Sequence, residues 1–290
     1  MSRRQGSRGS RGFAWALILA VTIAAVVWVP QLWDRYADQH FATSRCTVTL
    51  GERTDTKTAE QANNIGLIVA GSMRWGLPAR AATIAVATAI QESSLRNIDY
   101  GDRDSVGLFQ QRPSQGWGSV EQIMDPYYAT DQFYENLIKV DGWETMDVTD
   151  AAQEVQRSGF PLAYADHEEE GRLWASALTG NGGSVTCDLP DPEGTTTARD
   201  LADRISADFG SDAYAVEVVG SDGDDTVMRV TATSGDTNAN HALQEWAVSV
   251  AAYEAVTSST GTADAWVRGG AEPTEAPEAG TFVTIRTTTP

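Results

Sequence analysis

Seventeen consecutive residues, Phe13 to Val29 (FAWALILAVTIAAVVWV), carry no charge. A helix built from such a run must cross a bilayer or lie wholly inside a core, and about this many apolar residues just reach across the hydrocarbon layer. Arg3, Arg4, Arg8 and Arg11 precede the run, and the first acidic residue, Asp34, follows it. Positive charge stays on the cytoplasmic side, so the pattern predicts a basic cytoplasmic tail at 1–12 and one membrane span at 13–33. A cleaved secretory signal would need a shorter run with a small-x-small site behind it, whereas Trp28, Pro30, Leu32 and Trp33 stand there. The expected location is the cell membrane, single-pass, with the bulk of the chain extracytoplasmic.

The chain has 40 acidic and 21 basic residues, a formal net charge of -19, and its one dense basic cluster is the first eleven residues. A polyanion such as nucleic acid is therefore not an expected partner. Three histidines far apart and two cysteines offer no zinc or haem spacing, so neither a metal nor another cofactor is expected. Asp222-Gly-Asp-Asp225 lacks the ligand spacing of an EF-hand loop and reads as a hairpin turn. Thiols exported to an oxidising compartment tend to pair. Cys46 and Cys187 bracket one segment and are expected to form a disulfide rather than remain two free buried thiols. Closing so long a loop stabilises the fold by about 4 kcal/mol in the entropic view.

Residues 34–58 read as a polar stalk. From Ala59 the apolar positions Ala62, Ile65, Ile68 or Val69, Ser72 and Trp75 recur at helical steps until Pro78. Ala81 to Ile90 is apolar or small on every side, which marks a helix buried within its domain. Helices are also expected near 129–139, 149–158 and 167–179, giving a mainly α domain at 59–188. Residues 189–197 (LPDPEGTTT) read as a linker. Beyond it, helices at 198–209 and 237–255 and strands at 213–219, 226–232, 264–268 and 282–286 predict a small α+β domain at 198–290.

The buried helix delivers Glu92 at its C-terminal end. A carboxyl group there is poorly solvated, its neutral form is favoured, and its pKa rises toward what a general acid needs. Glu92-Ser93 is followed fifteen residues after the glutamate by Gly107-Leu108-Phe109-Gln110, within the run GLFQQRPSQGW from Gly107 to Trp117. Asp125-Pro126, Tyr134 and Leu137 come next. In these motifs the sequence resembles the lytic transglycosylase and goose-type lysozyme superfamily, and most of all the membrane-anchored lysozyme-like proteins of actinobacteria. The resemblance spans about 59–180, half of the chain.

It implies a lysozyme-like fold for 59–188 and cleavage of the β-1,4 bond between N-acetylmuramic acid and N-acetylglucosamine in peptidoglycan. Glu92 would serve as acid and then base, with no cofactor. Ser93, Phe109, Gln110, Gln111, Trp117, Tyr128 and Gln156 would contact the glycan. Phe109, Gln110 and Gln111 are placed in the cleft on the expectation of a short strand, whose alternate side chains share a face. A hydrolytic route would need a second carboxylate some 6.5–9.5 Å away, for which Asp102 and Asp104 are candidates.

Two departures from the family pattern matter. Asp104-Ser105 stands where Gly-Ala is common, and Glu154-Val-Gln-Arg-Ser158 replaces an Ala-Tyr-Asn-Ala-Gly helix motif. Val155 thus removes the tyrosine that would lie beside the catalytic carboxyl. These departures motivate an alternative function: a catalytically inactive, peptidoglycan-binding scaffold of a cell-envelope or secretion assembly. Residues 198–290 could supply contacts to such an assembly.

Overall fold

A computed structural model describes residues 44–160, 162–270 and 280–287. The basic tail, the apolar run at 13–33 and the start of the stalk lie outside the described residues. Among the described residues no helix is long and apolar enough to cross a membrane.

The segment read as the end of a stalk is a hairpin. Arg45–Leu50 (β1) and Arg53–Thr58 (β2) alternate Thr and Val with polar residues, a composition suited to a pleated, half-buried surface. Thr58 then caps Ala59–Arg74 (α1) through a reciprocal box with Gln61. Ala79–Ser93 (α2) follows, and after an irregular stretch come Val120–Ile123 (α3), Pro126–Leu137 (α4), Val148–Gln156 (α5) and Glu168–Leu178 (α6). Ser184–Asp188 (β3) returns to β1, completing an antiparallel sheet of order β2-β1-β3. Cys46 sits directly opposite Cys187 in that register, and the two form a disulfide.

The rest of the chain adds Ala198–Phe209 (α7), Tyr214–Asp222 (β4), Asp225–Ala232 (β5), Thr237–Ser249 (α8), Val256–Thr260 (β6), Trp266–Val267 (β7) and Thr281–Arg286 (β8). Its strands form a second antiparallel sheet, order β4-β5-β8-β6-β7. The β4–β5 turn occupies the stretch of acidic residues read as a hairpin.

The expected mainly α domain followed by a small α+β domain is therefore corrected to an α+β fold with two antiparallel sheets, while the expected membrane helix falls outside the described residues. The strands of the first sheet are short and largely polar, which is why this segment reads as a stalk, and the pairing of β1 with β3 about 140 residues away was marked only by the expected Cys46–Cys187 bond. From Ser44 onward the chain forms one compact unit, and a single apolar core includes Ile65 and Ile68 of α1 as well as Trp246 of α8 and Ile285 of β8. The approach of α1 to α8 is close at one position: a Cβ on Gly66 would stand 2.6 Å from Ser249 Oγ, so a larger residue there would make the serine side chain shift.

Polar groups close the same junction. Asp208 of α7 is fully buried and accepts from Tyr127 Oη at 2.6 Å, Arg204 Nε at 2.9 Å and Trp246 Nε1 at 2.7 Å. Buried charge is tolerated when its lone pairs are filled in this way.

Candidate active site

Helix α2 is buried from Ala81 to Ile90, so its end is fixed by packing on all sides. Ser94 and Leu95 leave the helix in left-handed conformations, at φ 53° and 60°. Their carbonyls are held by α1, with Gln61 Nε2 donating to Ser94 O at 3.0 Å and Asn64 Nδ2 to Leu95 O at 2.7 Å. Ser93 Oγ donates to Leu108 O at 2.7 Å, which ties the helix end to the segment 107–110.

That segment is a tight turn, not the expected strand. Gly107 has φ +81°, and a Cβ there would lie 2.8 Å from Ile123 O, so only glycine fits. Gln110 N closes the turn on Gly107 O at 3.3 Å, and Val106 bridges to Gln111 across it. The side chains consequently diverge. Leu108 and Phe109 point into the core, with the Phe109 ring stacked on Phe133 at 4.8 Å, while Gln110 lines the cleft and Gln111, also at its wall, is buried with Nε2 donating to Ala129 O at 3.0 Å.

The cleft has a volume of about 1100 Å³ and contains Glu92 in its lining. The α4 end contributes Asn136 and Lys139, and the α5 end contributes Val155 to Ser158. Of the residues expected to act together, Glu92, Asp102, Gln110, Gln111, Trp117 and Gln156 meet here. Phe109 does not line the cleft. Its carbonyl instead accepts from Gln156 Nε2 at 2.7 Å. Ser93 is buried in backbone contacts, and Tyr128 Oη donates to Trp117 O at 3.1 Å, so both hold the cleft walls without being part of the lining.

Glu92 Oε1 accepts a hydrogen bond of 2.6 Å from Tyr164 Oη. Tyr164 lies in a 3-10 turn, Ala163–His167, and its side chain is fully buried. Burial raises the Glu92 pKa above the usual carboxylate range, and hydrogen bonds from Tyr164 and Gln156 oppose that rise without cancelling it. Burial and the nearby Glu92 push the Tyr164 phenol far up, so it remains a donor. The absence of a tyrosine at Val155 thus leaves no gap beside the carboxyl. Tyr164 supplies the polar neighbour from 72 positions away in sequence. Its one sequence signal was a position just ahead of the helix expected at 167–179.

The two candidate second carboxylates differ in their surroundings. Asp104 accepts from Arg112 Nε at 2.8 Å, Ser114 N at 2.8 Å and Ser114 Oγ at 3.0 Å, which holds its carboxyl well below the usual range and outside the cleft lining. Asp102 lines the cleft, with 94% of its side chain exposed and Arg103 at 3.8 Å. Asp141 and Glu154 also line the cleft, and sequence reasoning had singled out neither. Among the described residues no three His, Cys, Asp or Glu side chains cluster in a way that could hold a metal ion.

Compared with protein-family models and with curated proteins, the chain matches none.

Proposed function

We propose that this chain is a peptidoglycan lytic transglycosylase, cleaving the bond between N-acetylmuramic acid and N-acetylglucosamine with Glu92 as its acid and base. The observation that carries this reading is a poorly solvated carboxyl in the lining of a large cleft, hydrogen-bonded by a buried phenol. Such a carboxyl keeps its proton to higher pH than a solvated one, which is the direction a general acid needs. Amide groups of Gln110, Gln115 and Asn136 in the same lining suit the hydroxyl and N-acetyl groups of a glycan.

The reaction runs in two stages. Glu92 donates its proton to the glycosidic oxygen as the bond from that oxygen to C1 of N-acetylmuramic acid breaks, releasing N-acetylglucosamine at its 4-hydroxyl. The oxocarbenium ion left at C1 is captured by the 6-hydroxyl of the same sugar, whose proton passes to the Glu92 carboxylate. The acid is regenerated, and the product carries a 1,6-anhydro ring. One carboxyl group is enough for this route, in keeping with an Asp104 already committed to Arg112 and Ser114.

A kinship with the lytic transglycosylase and goose-type lysozyme superfamily is part of the proposal, through the Glu92-Ser93 and Gly107-to-Trp117 motifs. The disulfide between Cys46 and Cys187 supports a location in an oxidising compartment outside the cytoplasm, where peptidoglycan is found. The scaffold alternative loses its main motive, because Tyr164 occupies the neighbourhood that Val155 had left without a polar group.

Peptidoglycan incubated with the purified chain tests the reading. The native chain is expected to clear it and to release fragments with anhydro ends by mass spectrometry, while Glu92→Gln releases none. Binding to cell walls with no release by the native chain would favour the scaffold.

A further inference from the structure

The rim of the cleft carries a large apolar side chain that the reaction above does not use. Phe160 is 76% exposed and belongs to the cleft lining. A single exposed apolar residue is ordinary on a protein surface and by itself means little. Phe160 differs in how its backbone is held. Its amide donates to Ser158 Oγ at 3.2 Å, and its carbonyl accepts from Ala163 N at 3.2 Å. The Ser158 carbonyl in turn accepts from Gln153 Nε2 at 3.0 Å.

The ring is therefore presented to solvent from a backbone hydrogen-bonded on both sides, four residues before Tyr164, the donor to the reacting carboxyl. Elsewhere the lining consists largely of amides and charged groups, with Trp117 as a further aromatic. Amides that bond hydroxyl groups, together with an aromatic face for the C–H side of a ring, make up the chemistry that recognises a pyranose.

We propose that Phe160 is a sugar-stacking platform that sets how a β-1,4-linked N-acetylhexosamine strand lies relative to Glu92. The inference rests on the cleft being a glycan site. It adds a recognition residue that acts on binding, distinct from Glu92 and Tyr164, which act on bond cleavage.

The test uses the Glu92→Gln chain as a non-cleaving host and the N-acetylglucosamine tetrasaccharide as probe, with binding followed by calorimetry. Adding Phe160→Ala is expected to weaken binding roughly tenfold, and Phe160→Trp to keep it within about twofold. The melting temperature should not change with either substitution, since the ring is mostly in water. An affinity left unchanged when Phe160→Ala is added to the host, or no binding of the tetrasaccharide by the host that retains Phe160, overturns the proposal. Failure here and failure of the cleavage reading are separable. Fragments released by a chain whose sugar affinity ignores the loss of the Phe160 ring would remove the platform and leave the enzyme. Phe160-dependent affinity in a native chain that releases no fragments would do the reverse.

Discussion

Tyr164 Oη stands 2.6 Å from Glu92 Oε1, joining the 3-10 turn ahead of α6 to the end of the buried helix α2. Removing that hydroxyl by Tyr164→Phe takes away a hydrogen bond that favours the ionised carboxyl, so the Glu92 pKa should rise further. The alkaline limb of the pH–rate profile then moves to higher pH. A hydrogen bond to a charged group is worth about 1.5–3 kcal/mol, so kcat/KM is expected to fall roughly ten- to a hundredfold. Steady-state rates measured across pH check both effects.

Asp102→Asn should leave cleavage within about threefold of native, because the single-carboxyl route gives Asp102 no proton to move. A loss of a hundredfold or more would mean that a carboxylate activates water. Asp104→Asn is expected to act on stability instead, by loosening the turn that Arg112 and Ser114 form around it. Kinetics on soluble glycan fragments and thermal melts distinguish the two effects.

Asp208→Asn removes a buried charge paired with half-buried Arg204, which keeps Glu254, and disturbs the bonds from Tyr127 and Trp246. Breaking a buried pair of this kind costs about 3–5 kcal/mol. Because α4, α7 and α8 meet at this carboxyl, the loss should appear as one cooperative transition in urea followed by tryptophan fluorescence. Two separate transitions would argue that the parts on either side of 189–197 fold independently.

Glu92→Gln should make the chain more stable at neutral pH. The folded pKa lies above the unfolded value, so the native carboxyl favours folding fully below the ordinary glutamate value of 4.5 and loses that contribution as pH rises through the folded pKa. A glutamine cannot ionise and escapes the loss. Melting temperatures of native and variant chains are expected to diverge above that window and to converge below it.

Much of the helical framework was legible because burial leaves a period. The uninterrupted run at 81–90 and the spacing from Ala62 to Trp75 placed α2 and α1, and with them Glu92. Turn chemistry was harder to read. Gly107-Leu-Phe-Gln110 mimics a strand in hydrophobic pattern, yet the positive φ at Gly107 and Gln110 folds it back, so Phe109 faces the core. In the second half α8 stops at Ser249, earlier than its apolar pattern suggested, because residues 251–255 turn toward β6. The two cysteines conveyed one distant pairing, since the expected Cys46–Cys187 bond joins the segments that form β1 and β3. The contact of Tyr164 with Glu92 leaves no such trace, since it depends on how whole helices stack between the partners.

Carbon-13 titration of the Glu92 carboxyl in the folded native chain tests the central point most directly. The expected midpoint lies above the ordinary value of 4.5, and it moves higher still in Tyr164→Phe. A midpoint at or below that value, unmoved by the loss of the phenol, would contradict a carboxyl kept protonated for work on a glycosidic bond.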